Sequence, residues 1–184
     1  TVRSIALYID TDAGAQTYVI DDFVVCSNPA ITKTINDCDS AWTASANVTA
    51  TASTTRKEGT SSASLSIAAG FTTGLMGYKA ISSSDFCGYF QVSFFIQQTS
   101  GTLAVAGDLT LRLCSDAAGV TAVNTIAIPG ISVLSGWLKV TVHTGGALGA
   151  AIQSVALNTS VDRGAQIFLL DNIVACLDST DPNA

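Results

Sequence analysis

Residues 4–28 and 154–178 are two copies of one 25-residue unit, set 150 positions apart and aligned without a gap. Ten pairs are identical: Ser4/Ser154, Ala6/Ala156, Leu7/Leu157, Asp12/Asp162, Gly14/Gly164, Ala15/Ala165, Gln16/Gln166, Asp21/Asp171, Val24/Val174 and Cys26/Cys176. Most substituted pairs keep their character, as in Tyr18/Phe168, Ile20/Leu170 and Phe23/Ile173. A long self-similar spacing predicts a repeated domain, here of about 150 residues. Residues 1–28 then read as the closing strands of one copy, 29–178 as a complete domain and 179–184 as a linker or tail. Alternatively, the N-terminal copy is a strand segment donated to a neighbouring subunit, completing its sheet by main-chain pairing. Either way Cys26, Tyr18 and Phe23 are expected at an inter-domain or inter-subunit contact.

The apolar pattern alternates with a period near two through most of the chain. Runs of 5 to 8 residues rich in Val, Ile, Thr and aromatics are separated by Gly, Ser, Asp and Asn. That pattern predicts an all-β antiparallel sandwich. Strands are expected at 31–36, 48–53, 62–67, 75–81, 89–97, 108–114, 123–128, 136–141, 151–157 and 165–176, with two more at 4–9 and 17–26. Ser62 to Ile67 shows the logic best, since Ala63, Leu65 and Ile67 alternate with three serines to give one buried and one wet face. The stretch 145–154 is the one place where a short helical turn is expected, and its glycines oppose it.

Composition narrows the function classes. With 48% hydrophobic and 12% charged residues the chain can bury a sizeable core. A net charge of −6, with four Lys and four Arg that cluster only at Arg56-Lys57, argues against nucleic acid as a partner. The longest apolar run, 167–177, is interrupted by Asp171-Asn172 and is too short to span a bilayer, so no membrane segment is expected.

Five cysteines stand at 26, 38, 87, 114 and 176, and Cys26 and Cys176 are equivalents in the repeat. A complete domain therefore owns Cys38, Cys87, Cys114 and Cys176, which allow three pairings. First and last strands of a sandwich are commonly neighbours, so Cys38–Cys176 and Cys87–Cys114 are the expected disulfides, consistent with a virion or extracellular location. The other reading is buried free thiols on strands. The spacings, with one His in the chain, carry no zinc signature.

From residue 35 onward the motifs INDCDSAW (35–42), RKEGTSSASLSI (56–67), YFQVSFFI (89–96), DLTLRLC (108–114), SGWLKVTV (135–142) and IFLLDNIVAC (167–176) follow in a specific order. This succession resembles the jelly-roll carbohydrate-binding modules of the family 4/9/22 type, and more closely the versions found in tailed-phage structural proteins. The resemblance implies a jelly-roll β-sandwich without chemistry of its own. It implies first a structural or interaction module of a virion (tail or capsid decoration) or extracellular filament, built from tandem domains. Its partners would be copies of itself or other virion or filament proteins. The alternatives are a carbohydrate-binding module attaching to surface polysaccharide, and a filament subunit assembled by N-terminal strand donation.

In those families an Asp on the closing strand, with acidic or carbonyl groups near the first strand, often holds a structural calcium. Asp171 matches that position, with Asp37, Asp39 and Glu58 as companions. The competing reading has Asp171 accept backbone N–H bonds at a strand end, since a bare charge in a sandwich interior is costly. A glycan platform would need exposed aromatic rings. Trp42 and Trp137 match core or near-core positions and Phe90, Phe94 and Phe168 read as interior, which leaves Tyr78, Phe86 and Tyr89 as glycan contacts. His143 is the sole histidine and no nucleophile or paired-carboxylate motif surrounds it, so no enzyme is expected.

Overall fold

The computed structural model describes residues 32–177, among which there is no helix. Eleven strands occur in chain order: β1 (Thr32–Asn36), β2 (Thr43–Ala44), β3 (Val48–Ser53), β4 (Ser62–Ile67), β5 (Gly74–Ser84), β6 (Gln91–Ser100), β7 (Leu109–Cys114), β8 (Ala122–Ala127), β9 (Leu138–His143), β10 (Ile152–Thr159) and β11 (Gln166–Cys176). A six-stranded sheet runs β3-β4-β11-β6-β9, with β1 also on β11, and a five-stranded sheet runs β2-β5-β10-β7-β8. All pairings are antiparallel. This is the expected jelly-roll sandwich. The strands at 4–9 and 17–26, and Tyr18, Phe23 and Cys26, lie outside the described residues.

The core is the alternate residues of both sheets. Leu65 and Ile67 of β4, Val92, Phe94 and Ile96 of β6, and Phe168, Leu170 and Ile173 of β11 meet Leu109, Leu111 and Leu113 of β7 with Val155 and Leu157 of β10. Their spacing of two is what let the sequence predict these strands to within three residues at either end. The strand β2 was not expected, because two residues carry no periodicity. The stretch 145–154 forms no helical turn. Its end becomes β10, where Ile152 is fully buried between the sheets.

The C-terminal copy of the repeated unit is the ribbon β10–turn–β11. Its strands occupy interior positions of both sheets: β10 pairs β5 and β7, and β11 pairs β6 on one edge with β4 and β1 in succession on the other. Strands buried on both edges and on one face read as near-continuous apolar runs, and IFLLDNIVAC does so apart from Asp171.

Neither expected disulfide forms; Cys38, Cys87, Cys114 and Cys176 are all free thiols. Cys176 pairs Thr32 at one end of the β1–β11 ladder, while Cys38 lies beyond Asn36, which pairs Ile173 at the other. Three residues of strand span about 10 Å, beyond the reach of a disulfide. Cys114 is two strands from Ala80, about 9.6 Å away, and the exposed Cys87 lies further along, past the end of β5. The reading of unpaired thiols is the one the fold supports. Burial pushes the Cys38 thiol up, with Asp171 and Asp37 adding to the shift.

Candidate functional site

Two outer faces are available, one on each sheet, and the acidic motif belongs to the six-stranded one. The edge of β11 changes partner from β4, which pairs 166–170, to β1, which pairs 173–176, and Asp171 sits at the change. Asn172 beside it takes a positive φ of 44° at the accompanying irregularity. With no strand on that edge, the loop between β3 and β4 folds in. Oδ2 of the fully buried Asp171 accepts the N–H groups of Lys57 (2.5 Å) and Glu58 (2.9 Å). A second carboxylate clamps the same loop, as Oδ1 of Asp39 accepts from the N–H groups of Thr60 (2.7 Å) and Ser61 (2.8 Å). These bonds hold the Asp39 carboxyl below its ordinary range, the Ser61 N–H contributing most. Gly59 between them has φ +62° and no room for a side chain, because a Cβ there would stand 2.5 Å from Asp39 Oδ1.

The structure therefore brings Asp171, Asp39 and Glu58 to one loop but not to one ion. Asp37 caps its own turn by accepting from Asp39 N (3.1 Å), and Glu58 Oε2 accepts from Asn172 Nδ2 (2.5 Å). Calcium takes six to eight oxygen ligands, whereas here the loop presents N–H donors to both aspartates. Among the described residues no group of three or more His, Cys, Asp or Glu is placed to hold a metal. One buried atom, Asp171 Oδ1, is left without a partner. The residues present do not fit a calcium ion, and they do fit a carboxylate clamp. The aromatic ring on this face, Phe95, already carries cations, with the ammonium groups of Lys57 and Lys139 each 5.9 Å from its centroid.

The outer face of the five-stranded sheet is different. Register places Thr43, Tyr78, Ala156, Arg112 and Thr125 side by side across β2, β5, β10, β7 and β8. The next row holds Leu75, Asn158, Thr110 and Ala127, and the row on the other side Ala80, Ser154, Cys114 and Ala122. No carboxylate occurs in the three rows. With the Asn158 amide turned so that its oxygen faces donors, it accepts from Arg112 Nη1 (3.1 Å) and from Leu75 N (3.3 Å). Arg112 Nε is buried without a partner. Tyr78 is half-buried, and among the described residues no ring or cation stacks on it.

The loop between β7 and β8 forms a wall along this face. Ser154 Oγ donates to Asp116 O (2.5 Å) and accepts from Gly119 N (3.1 Å), which presses the loop onto the sheet. Asp116 turns inward and accepts from the N–H groups of Thr121, Ala118 (2.8 Å) and Val120 (3.2 Å). These bonds, led by that of Thr121, lower its carboxyl to about 2. Gly119 has φ +74°, and a Cβ on it would come within 2.7 Å of Tyr78 Cβ and 3.0 Å of Ala156 Cβ. The glycine lets the loop backbone lie directly against the tyrosine.

Of the three aromatic contacts expected from sequence, only Tyr78 is on the outer face of a sheet, half-buried beside the β7–β8 loop. Phe86 and Tyr89 are buried, at 1% and 7% exposure, and pack edge to face with centroids 6.3 Å apart. The turn between β5 and β6 folds them inward, since Phe86 N donates to Gly149 O (3.0 Å) and Tyr89 N to Phe86 O (2.9 Å). Trp42, Phe94 and Phe168 are core as expected, whereas Phe90 is only half-buried and stacks on His143. Exposed His143 accepts from Gly145 N (2.9 Å) through Nδ1. Arg112 and Asn158 were missed from sequence. The signal was present in LTLRLC, where arginine falls opposite three leucines on an alternating strand.

The fold is the jelly-roll sandwich of carbohydrate-binding modules. The sequence matches no family model and no curated protein. Among solved structures, it is similar to the family 11 carbohydrate-binding module of Clostridium thermocellum in complex with a β-1,3-1,4-mixed-linked tetrasaccharide. The TM-score is 0.51 and the identity 14%, over 79% of this chain and 95% of that one. The solution structure of the family 11 module CtCBM11 gives a TM-score of 0.50 at 12% identity, over 82% and 98% of the two chains. An arabinose-bound α-L-arabinofuranosidase gives 0.52 at 13% identity, over 80% of this chain but only 23% of that larger one. At these identities the likeness establishes the fold. These three matches carry no evidence for the virion or filament role that led the expectations from sequence.

Proposed function

We propose that this domain is a non-catalytic carbohydrate-binding module whose binding surface is the outer face of the five-stranded sheet. The observation that carries this reading is the row Thr43–Tyr78–Ala156–Arg112–Thr125: one half-buried aromatic ring and several hydrogen-bonding side chains held in register on rigid strands, beside a pinned loop. Aromatic rings supply apolar area at low entropic cost, and a few fixed polar groups supply orientation. A pyranose offers the matching chemistry, an apolar ring face edged with hydroxyls. The oligosaccharide bound by the similar family 11 module makes this the natural ligand class. Affinity electrophoresis against a panel of neutral and acidic soluble polysaccharides tests it. At least one polymer should retard the protein, and Tyr78→Ala should weaken that binding about ten-fold or more, about 1.4 kcal/mol, while calorimetry shows the variant still folded at the assay temperature. A silent panel, or binding unchanged in the variant, would refute the reading.

A structural array or filament subunit is the second reading, and one observation favours it. The repeated unit corresponds to the ribbon β10–β11, whose strands pair on both edges. A second such sequence at 4–28 would require neighbours that a tandem copy or another subunit would supply. Sedimentation of the full chain as a strict monomer at all concentrations would eliminate strand donation.

A further inference from the structure

Resting on the carbohydrate-binding reading above, we infer that the ligand is an acidic polysaccharide whose sugar carboxylates are received by Arg112. The chain carries a net charge of −6, yet the three rows of this sheet face contain one cation and no anion. Asp116, the acid on the adjoining loop, is engaged by three N–H groups of that loop. Arg163 shows what the protein does with a cation it keeps for stability: that guanidinium forms a fork with Asp108 through Nε and Nη2. Arg112 has no carboxylate among the described residues. With the Asn158 amide turned, Nη1 donates to its oxygen, while Nε is buried and unpartnered.

A partly buried cation with no counter-ion is costly unless a partner offsets it. The guanidinium is the side chain best shaped to receive a carboxylate, and such bonds are about twice as strong as neutral ones. The turned Asn158 amide gives it one neutral partner. Across β10, two strand spacings or about 9.6 Å away, Tyr78 stands in the same row, with the buried Ala156 and the Gly119 backbone of the β7–β8 loop over it between them. A chain of sugar rings that skirts this loop sets one ring against the open part of Tyr78 and a uronate carboxylate further along on Arg112. Neutral hydroxyls would accept the same N–H groups, but would leave the positive charge unmatched.

The test compares polygalacturonate with the same polymer after chemical reduction of its carboxyl groups, measured by titration calorimetry on the wild-type chain. Wild type should bind the acidic polymer at least ten-fold more tightly than the reduced one, and this preference should shrink as salt rises. Arg112→Gln should abolish the preference while keeping the residual affinity for the reduced polymer, and Tyr78→Ala should weaken both. Equal binding of the two polymers by wild type would overturn the inference and leave the carbohydrate-binding face intact. A preference that survives Arg112→Gln would place the carboxylate site elsewhere and overturn it too. If neither polymer binds and the neutral members of the wider panel are also silent, both readings fall. Binding confined to neutral polysaccharides removes this inference alone.

Discussion

Replacing Asp171 with alanine isolates the clamp that holds the loop between β3 and β4 on the six-stranded sheet. The native carboxylate accepts two backbone N–H groups, at 2.5 and 2.9 Å. Hydrogen bonds to a charged group are each worth about 1.5–3 kcal/mol. Two corrections reduce the sum. Lys57 and Glu58 are exposed, so their N–H groups recover water when the carboxylate is removed. Removing Asp171 also removes the buried, unpartnered Oδ1 and its desolvation cost, about 1–3 kcal/mol. A net loss of about 2 kcal/mol is expected, which for a chain of this size lowers the melting temperature by about 4–8 °C. Asp171→Asn should lose less, since its amide oxygen still accepts while the desolvated charge is gone. Calorimetry gives the stability change, and hydrogen exchange should show the Lys57 and Glu58 amides deprotected in the alanine variant. Calcium discriminates the clamp from a metal site, because a carboxylate that clamps backbone N–H donors predicts the same melting temperature with calcium or with chelator. A rise that saturates with calcium in wild type and vanishes in Asp171→Ala, or an alanine variant with native stability and native amide protection, would refute this account.

Asp116 gives a pH signature. Its folded value of about 2 lies below the ordinary 3.8, so its contribution to the β7–β8 loop is complete above about pH 4 and is lost as pH falls toward 2. Wild type should melt above Asp116→Asn at neutral pH, and the gap should close over that acid window; a gap independent of pH would contradict the assignment. Gly119→Ala forces a left-handed conformation and a 2.7 Å contact with Tyr78. It should cost about 2 kcal/mol and weaken glycan binding, and a neutral substitution would show that the loop does not lie on the tyrosine. A thiol reagent should label Cys87 well before the buried Cys38 and Cys114, with melting of the domain unchanged by reductant; a reductant-sensitive domain would restore a disulfide.

Much of the sandwich was legible because a strand with one buried face writes its period of two directly into the chain, as Ser62–Ile67 and Leu109–Cys114 do. The ends of strands were less legible. The strand β5 runs on to Ser84, where serines carry no apolar signal and pairing to β10 decides the matter. Asp171 could be recognised as a charge in an apolar strand, but its two roles, clamp or metal ligand, differ only in whether the neighbouring loop turns N–H or C=O groups toward it. That choice belongs to the backbone of residues 57–61, distant in sequence.

Tyr78, Phe86 and Tyr89 are alike as residues in a serine- and glycine-rich stretch, yet one lies on a sheet face and two are folded into the core by the turn after β5. The sequence alone determined the all-β class, the alternating core and the identity of the repeated ribbon, since these depend on local periodicity and self-similarity. The free state of Cys38, Cys87, Cys114 and Cys176, the carboxylate clamp and the meeting of Tyr78, Arg112 and Asn158 were decided only in the tertiary structure. Each depends on cross-strand register between segments tens of residues apart, and a shift of one residue would send those side chains to the opposite face.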